Sequence, residues 1–146
     1  MADSKRLSLV KPTVDTPFHI DFNWWSQNDR EWRVHLLGLL TPEEQDRYAN
    51  IIEGDELVDW VDPETGEVHQ VDGLQHVLIT HTAQKEGFLS EHTALTEAIF
   101  RLLLKGGNAP MTVVEIAEEL GRDPKHILRT LSGARVYRGI RPILAK

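Results

Sequence analysis

One stretch, Thr112 to Ser132 (TVVEIAEELGRDPKHILRTLS), leaves its backbone few choices. Thr112 followed three residues later by Glu115 is a capping box, which starts a helix by satisfying its first free amides. Gly121 stands where a helix ends in a left-handed turn. Asp123-Pro124 then supplies a cap and a first helical residue for a second helix. Two short helices joined by a tight turn are therefore predicted. Ile116, Ala117 and Leu120 share one side of the first. On the second, Ile127, Leu128 and Leu131 share one side, while Lys125, His126, Arg129 and Thr130 share the other. A helix of this kind packs one face into a domain and offers the other to something acidic.

A third helix precedes these two. Leu95, Ala98, Ile99, Leu102 and Leu103 recur at helical spacing, and Phe100 and Leu104 add a second apolar pair at i, i+4. A helix apolar on two sides is packed on two sides. Phe100 and Leu104 are thus expected to meet either the N-terminal half or a partner, a second copy of the chain included. Further upstream the pattern is mixed. PFHIDF (17–22) suits a short strand, with Asn23 capping a helix to about Leu40 in which Trp25, Trp32, Leu36 and Leu39 form one stripe. Thr41-Pro42-Glu43-Glu44 is a second capping box, opening a helix that ends near Gly54. ELVDWVDPETGEVHQVDG (56–73) reads as a β-hairpin, and LQHVLITHTAQ (74–84) as a helix. Lys85-Glu86-Gly87 is a break.

Of 146 residues, 40% are apolar and 27% charged, which fits a folded globular protein. No apolar run approaches the roughly 20 residues that cross a bilayer. With no cysteine there is no disulfide framework, thiolate metal site or thiol nucleophile. A cytoplasmic protein without membrane partner is the expectation. The net charge of −7 is unevenly spread. Residues 18–92 hold sixteen acids against four Lys/Arg, whereas residues 121–146 hold only Asp123 against seven bases. A basic end binds a polyanion even on an acidic molecule, because potential acts locally at Debye-length range.

Residues 93–132, and above all MTVVEIAEELGRDPKHILRTL (111–131), resemble the tri-helical helix-turn-helix core of winged-helix DNA-binding domains, a likeness that extends over 93–146. Steeply crossed helices need a small residue at their contact, which Ala117 provides, and a turn that glycine permits. The resemblance implies that the second helix enters a major groove. Lys125, His126, Arg129 and Thr130 are then the base-facing candidates, with Arg129 able to take a guanine edge. Arg122, Arg135, Arg138 and Arg141 join Lys125 as phosphate contacts. The segment after the last helix (134–146) is short for a two-stranded wing, and forms either one strand or a cramped hairpin about Gly139. Three acids, Glu115, Glu118 and Glu119, decorate the first helix, where they would oppose a phosphate backbone.

Other constellations lead nowhere. His76 and His81 are five apart and point to different sides of a helix, so they cannot share a metal. His81 is expected in the core. Trp25 and Trp32 at helical spacing suit a core better than a ligand cage. No phosphate loop, catalytic triad or cofactor motif stands out, so an enzyme and a bound cofactor are not expected. The acidic hairpin, Asp59 and Asp62 included, suits a solvated face or a docking surface for a basic protein. The expected fold is α+β, mostly α: a flexible arm (1–17), an acidic N-terminal half with a hairpin (18–87), and a winged-helix-like unit (88–146). The leading expectation is a transcription-regulator-like protein binding double-stranded DNA, paired as a homodimer because twofold proteins read twofold sites. The alternative is a non-enzymatic adaptor, or subunit of a larger assembly, that uses both halves for protein contacts.

Overall fold

The computed structural model describes residues 11–53, 58–61, 65–133 and 135–144. It is a mostly helical α+β structure, with eight α-helices and two small antiparallel sheets among those residues. Strand β1 (Pro17–Ile20) leads into α1 (Phe22–Asn28) and α2 (Trp32–Leu37). Helices α3 (Pro42–Arg47) and α4 (Ala49–Glu53) follow, then a hairpin of β2 (Val58–Val61) and β3 (Val68–Val71). Next come α5 (Gly73–Thr80) and a 3₁₀ turn, Thr82–Gln84. The chain continues through α6 (Leu95–Lys105), β4 (Met111–Thr112), α7 (Val113–Leu120), α8 (Pro124–Leu131) and β5 (Ile140–Pro142).

The second sheet crosses the whole chain. Its order is β4-β1-β5, with Phe18 opposite Met111 on one side and Ile20 opposite Ile140 on the other. Of the two forms open to the segment 134–146, one strand or a cramped hairpin, the described residues show one strand, and the N-terminal strand lies between it and β4. Beyond the short β4, where Pro110 has no amide to give, the side chain of Asn108 continues the pairing. Its Nδ2 donates to the Ile20 carbonyl at 2.9 Å and its Oδ1 accepts from the Ile20 amide at 2.8 Å. Asn108 sits at φ 61°, a left-handed conformation that asparagine tolerates better than most residues. The turn before β1 is tied to the same region, since the Val114 amide donates to the Val14 carbonyl at 3.0 Å. Residues 13–16 therefore form a turn and Pro17 opens β1, while residues 1–10 of the expected arm lie outside the described residues.

One apolar core draws on both sides of Gly87. Phe18, Trp25, Leu36, Leu74 and Leu78 pack with Phe100, Leu103, Ile116, Ile127 and Ile140. The break at 85–87 therefore lies within a single core and marks no division of it. Phe100 and Leu104 are both completely buried. Trp25 meets the Phe100 ring edge-on at 5.7 Å, so the N-terminal half packs against this side of α6.

Several local features depart from the periodicity. The helix expected from Asn23 to Leu40 is two helices. Asp21, not Asn23, caps the first by accepting from the Trp24 amide. Asp29 then ends it in extended geometry, its carboxylate taking the Glu31 amide at 2.9 Å and the Trp25 indole N–H at 3.0 Å. The Thr41–Glu44 capping box is present, but its helix breaks at Tyr48. His81 is exposed and stacks on Tyr48 at 5.0 Å, so the expected core histidine is a surface one.

Candidate nucleic-acid interface

The turn between α7 and α8 follows its residue types closely. Thr112 accepts from the Glu115 amide while the Glu115 carboxylate accepts from the Thr112 amide. Gly121 ends α7 in left-handed geometry (φ 64°, ψ 38°), and the Arg122 amide closes the turn on the Ala117 carbonyl at 3.1 Å. Asp123 caps α8 by accepting from the Lys125 amide at 3.1 Å, with Pro124 at the first turn. Ile116, Ala117 and Ile127 are buried between the helices.

This geometry turns one row of α8 outward. Lys125, His126 and Arg129 are exposed, with Arg122 exposed in the turn before them and Arg135 exposed beyond the helix. Among the described residues, no carboxylate forms an ion pair with Arg122, Lys125, Arg129 or Arg135. Thr130 is half-buried, and its hydroxyl donates to the His126 carbonyl at 2.9 Å, leaving it less free than its neighbours. Glu115, Glu118 and Glu119 are exposed on α7 next door.

Two of the expected phosphate contacts also approach acids of the protein. Arg138 is in left-handed geometry (φ 44°), and its Nη1 lies 2.6 Å from Glu97 Oε1. Its guanidinium stands over the rings of Phe100 and Tyr137. Arg141 stacks on Trp24 and reaches Asp21 Oδ2 at 3.5 Å. Both arginines thus neutralise acids of the protein itself. Of the acidic pair expected to meet a basic partner, Asp59 is exposed on β2, opposite Gln70, and Asp62 lies outside the described residues.

Glu97, unremarked in the sequence, organises the ground beneath. One carboxylate oxygen accepts from Arg138 and from the Tyr137 hydroxyl at 3.0 Å, and the other from Arg101 Nε at 2.8 Å. Arg101 also donates to the Phe88 carbonyl. Burial alone would raise the Glu97 pKa, but the Arg101 bond, the Arg138 charge and the Tyr137 bond together hold it below the usual 4.5. Burial, with the nearby Glu97 carboxylate, pushes the Tyr137 phenol up. This network clamps α6 to the turn before β5. Only a carboxylate four residues before Arg101 could have hinted at it.

Among the described residues no three His, Asp or Glu side chains gather as metal ligands, and no helix is long and apolar enough to cross a membrane. No family model, curated protein or solved structure matches the chain.

Proposed function

We propose that the protein binds double-stranded DNA through α8, in the manner of a small transcription regulator. The observation that carries this reading is the row Lys125, His126 and Arg129, exposed on a helix whose opposite side is anchored by Ile127. Lys125 and Arg129 are like charges one turn apart, an arrangement that costs a helix a few tenths of a kcal/mol. A polyanion relieves that repulsion. A helix also fits the major groove, where Arg129 can read a guanine edge for about 1–3 kcal/mol of discrimination. Arg122, Lys125 and Arg135 supply backbone contacts on either flank.

A salt titration of binding to duplex DNA tests the reading. Three cations, Arg122, Lys125 and Arg135, neutralising three phosphates give a slope of log K against log salt of about −2.7 per protomer. A twofold site bound by a homodimer doubles it. Absence of binding to duplex DNA at low salt, at about 10 μM protein, refutes the proposal, since non-specific affinities alone reach about 10⁻⁴ to 10⁻⁶ M even at physiological salt.

A second reading, a protein adaptor, has its own support. Glu118 and Glu119 lie beside the basic row, and on the hairpin the paired Val61 and Val68 are both exposed. Acids near a phosphate backbone oppose DNA, whereas a protein partner of mixed charge meets both signs. Pull-down of a stoichiometric partner, lost on Asp59→Lys and unaffected by Arg129→Ala, would favour it.

A further inference from the structure

The elements that meet at Glu97 also leave a cleft open between α2, α6 and the turn at 137–139, with a volume of about 370 Å³. Val34, His35, Leu39, Glu97, Arg101 and Arg138 line it. We infer that this cleft binds a small monoanionic carboxylate with a short apolar tail. The inference does not rest on the DNA-binding reading.

The charge count is the first argument. Two guanidiniums and one carboxylate line the cleft; the Asp29 carboxylate, 3.7 Å from His35, also acts on Arg138 but does not line it. These side chains are mostly withdrawn from solvent, at 28% exposure for Arg101, 25% for Arg138 and 19% for Glu97. A monoanion meets two guanidiniums at the lining, whereas a divalent cation would meet those guanidiniums and one carboxylate already occupied on both oxygens.

The donors are the second. Arg101 gives Nε to Glu97 and Nη1 to the Phe88 carbonyl, and Arg138 gives Nη1 to Glu97. Among the described residues, Arg101 Nη2 and Arg138 Nε and Nη2 have no hydrogen-bond partner. A planar fork of N–H groups matches a carboxylate. Both guanidiniums are already held in place, Arg101 over the Phe88 ring and Arg138 over Phe100, so little side-chain freedom remains to be lost on binding.

The third is the rim. Val34 is 59% exposed, among the most exposed large apolar side chains described, and it stands at the cleft beside the half-buried Leu39. An alkyl tail leaving the arginines meets these two. His35 lines the same wall, its Nε2 3.7 Å from Asp29 Oδ2 and its ring stacked on Trp25.

The test is a ¹H–¹⁵N NMR titration of the intact protein with hexanoate, with acetate and hexanol as controls. Hexanoate should give saturable shifts at Gly38, Leu39, Arg101 and Arg138, with Kd near or below about 1 mM. Acetate, lacking the tail, should bind about tenfold more weakly. Hexanol, lacking the charge, should give no saturable shifts there. Arg101→Gln should weaken hexanoate about tenfold or more. Because Arg101 also supports the fold, Val34→Glu provides a second variant: it changes an exposed side chain, should leave the spectrum elsewhere intact, and should abolish binding. The inference is overturned if hexanoate fails to saturate by about ten times that Kd, if hexanol matches it, or if Val34→Glu binds as well as the original.

Discussion

Replacing Asn108 should uncouple the two ends of the β4-β1-β5 sheet. The Asn108 side chain makes two hydrogen bonds to the backbone of Ile20, a residue 1% exposed. Each such bond is worth about 1 kcal/mol net, and each buried backbone group left unpaired costs about 1–3 kcal/mol. Asn108→Gly removes both bonds without conformational penalty at φ 61°, and should destabilise by about 2–3 kcal/mol. Asn108→Ala adds the cost of a left-handed residue, roughly 1 kcal/mol more. Asn108→Asp keeps the acceptor for the Ile20 amide but sets a carboxylate against the Ile20 carbonyl. It should be destabilised at neutral pH and recover as acid protonates the new group into a donor. Urea unfolding gives the free energies, and hydrogen exchange at the Ile20 amide reports the bond itself. If Asn108→Gly unfolds with the original midpoint, or Ile20 keeps its protection, the side chain is not holding the strand.

The clamp at Glu97 makes acid sensitivity predictable. Its carboxyl is held below 4.5 in the fold, so it contributes stability above that pH and loses it as pH falls through the lowered value. Glu97→Gln should cost about 2 kcal/mol at neutral pH, between exposed and buried ion pairs, and should flatten the fall in Tm on acidification. Gly139→Ala should be destabilising by about 2–4 kcal/mol, read by thermal melting, because φ is 77° and the new Cβ would lie 2.9 Å from Trp25 Cβ. Under the DNA reading, Arg129→Ala should weaken one preferred site more than random duplex, as filter binding would record. Arg138→Ala should instead lower stability while leaving the salt slope unchanged, because its guanidinium is bound to Glu97.

What was legible in the sequence was local. Both threonine capping boxes, the glycine end of α7 and the Asp123-Pro124 start of α8 are read within four residues of chain, and all appear as expected. The two hairpin strands fall within the span expected for them, although only the first alternates well. Losses came where a side chain reaches backbone or a distant partner. Asp29 breaks the first long helix by capturing an amide and an indole, which periodicity cannot register. The count along the chain gave the C-terminal end a free basic surplus, yet Arg138 meets Glu97 and Arg141 approaches Asp21. Some of the apparent basic surplus at the C-terminal end is thus neutralised inside the fold. The central place of β1 depends on distant pairings, Phe18 with Met111 on one side and Ile20 with Ile140 on the other. No window along the sequence carries that information.

The middle strand of the β4-β1-β5 sheet leaves the ribosome well before either neighbour, since these follow only at Met111–Thr112 and Ile140–Pro142. Until residue 142 is released, Phe18 and Ile20 have nothing to pair with on one flank. Nascent chains arrested before that point should remain sensitive to protease, and a fragment beginning at residue 88 should not hold the α7–α8 unit in shape.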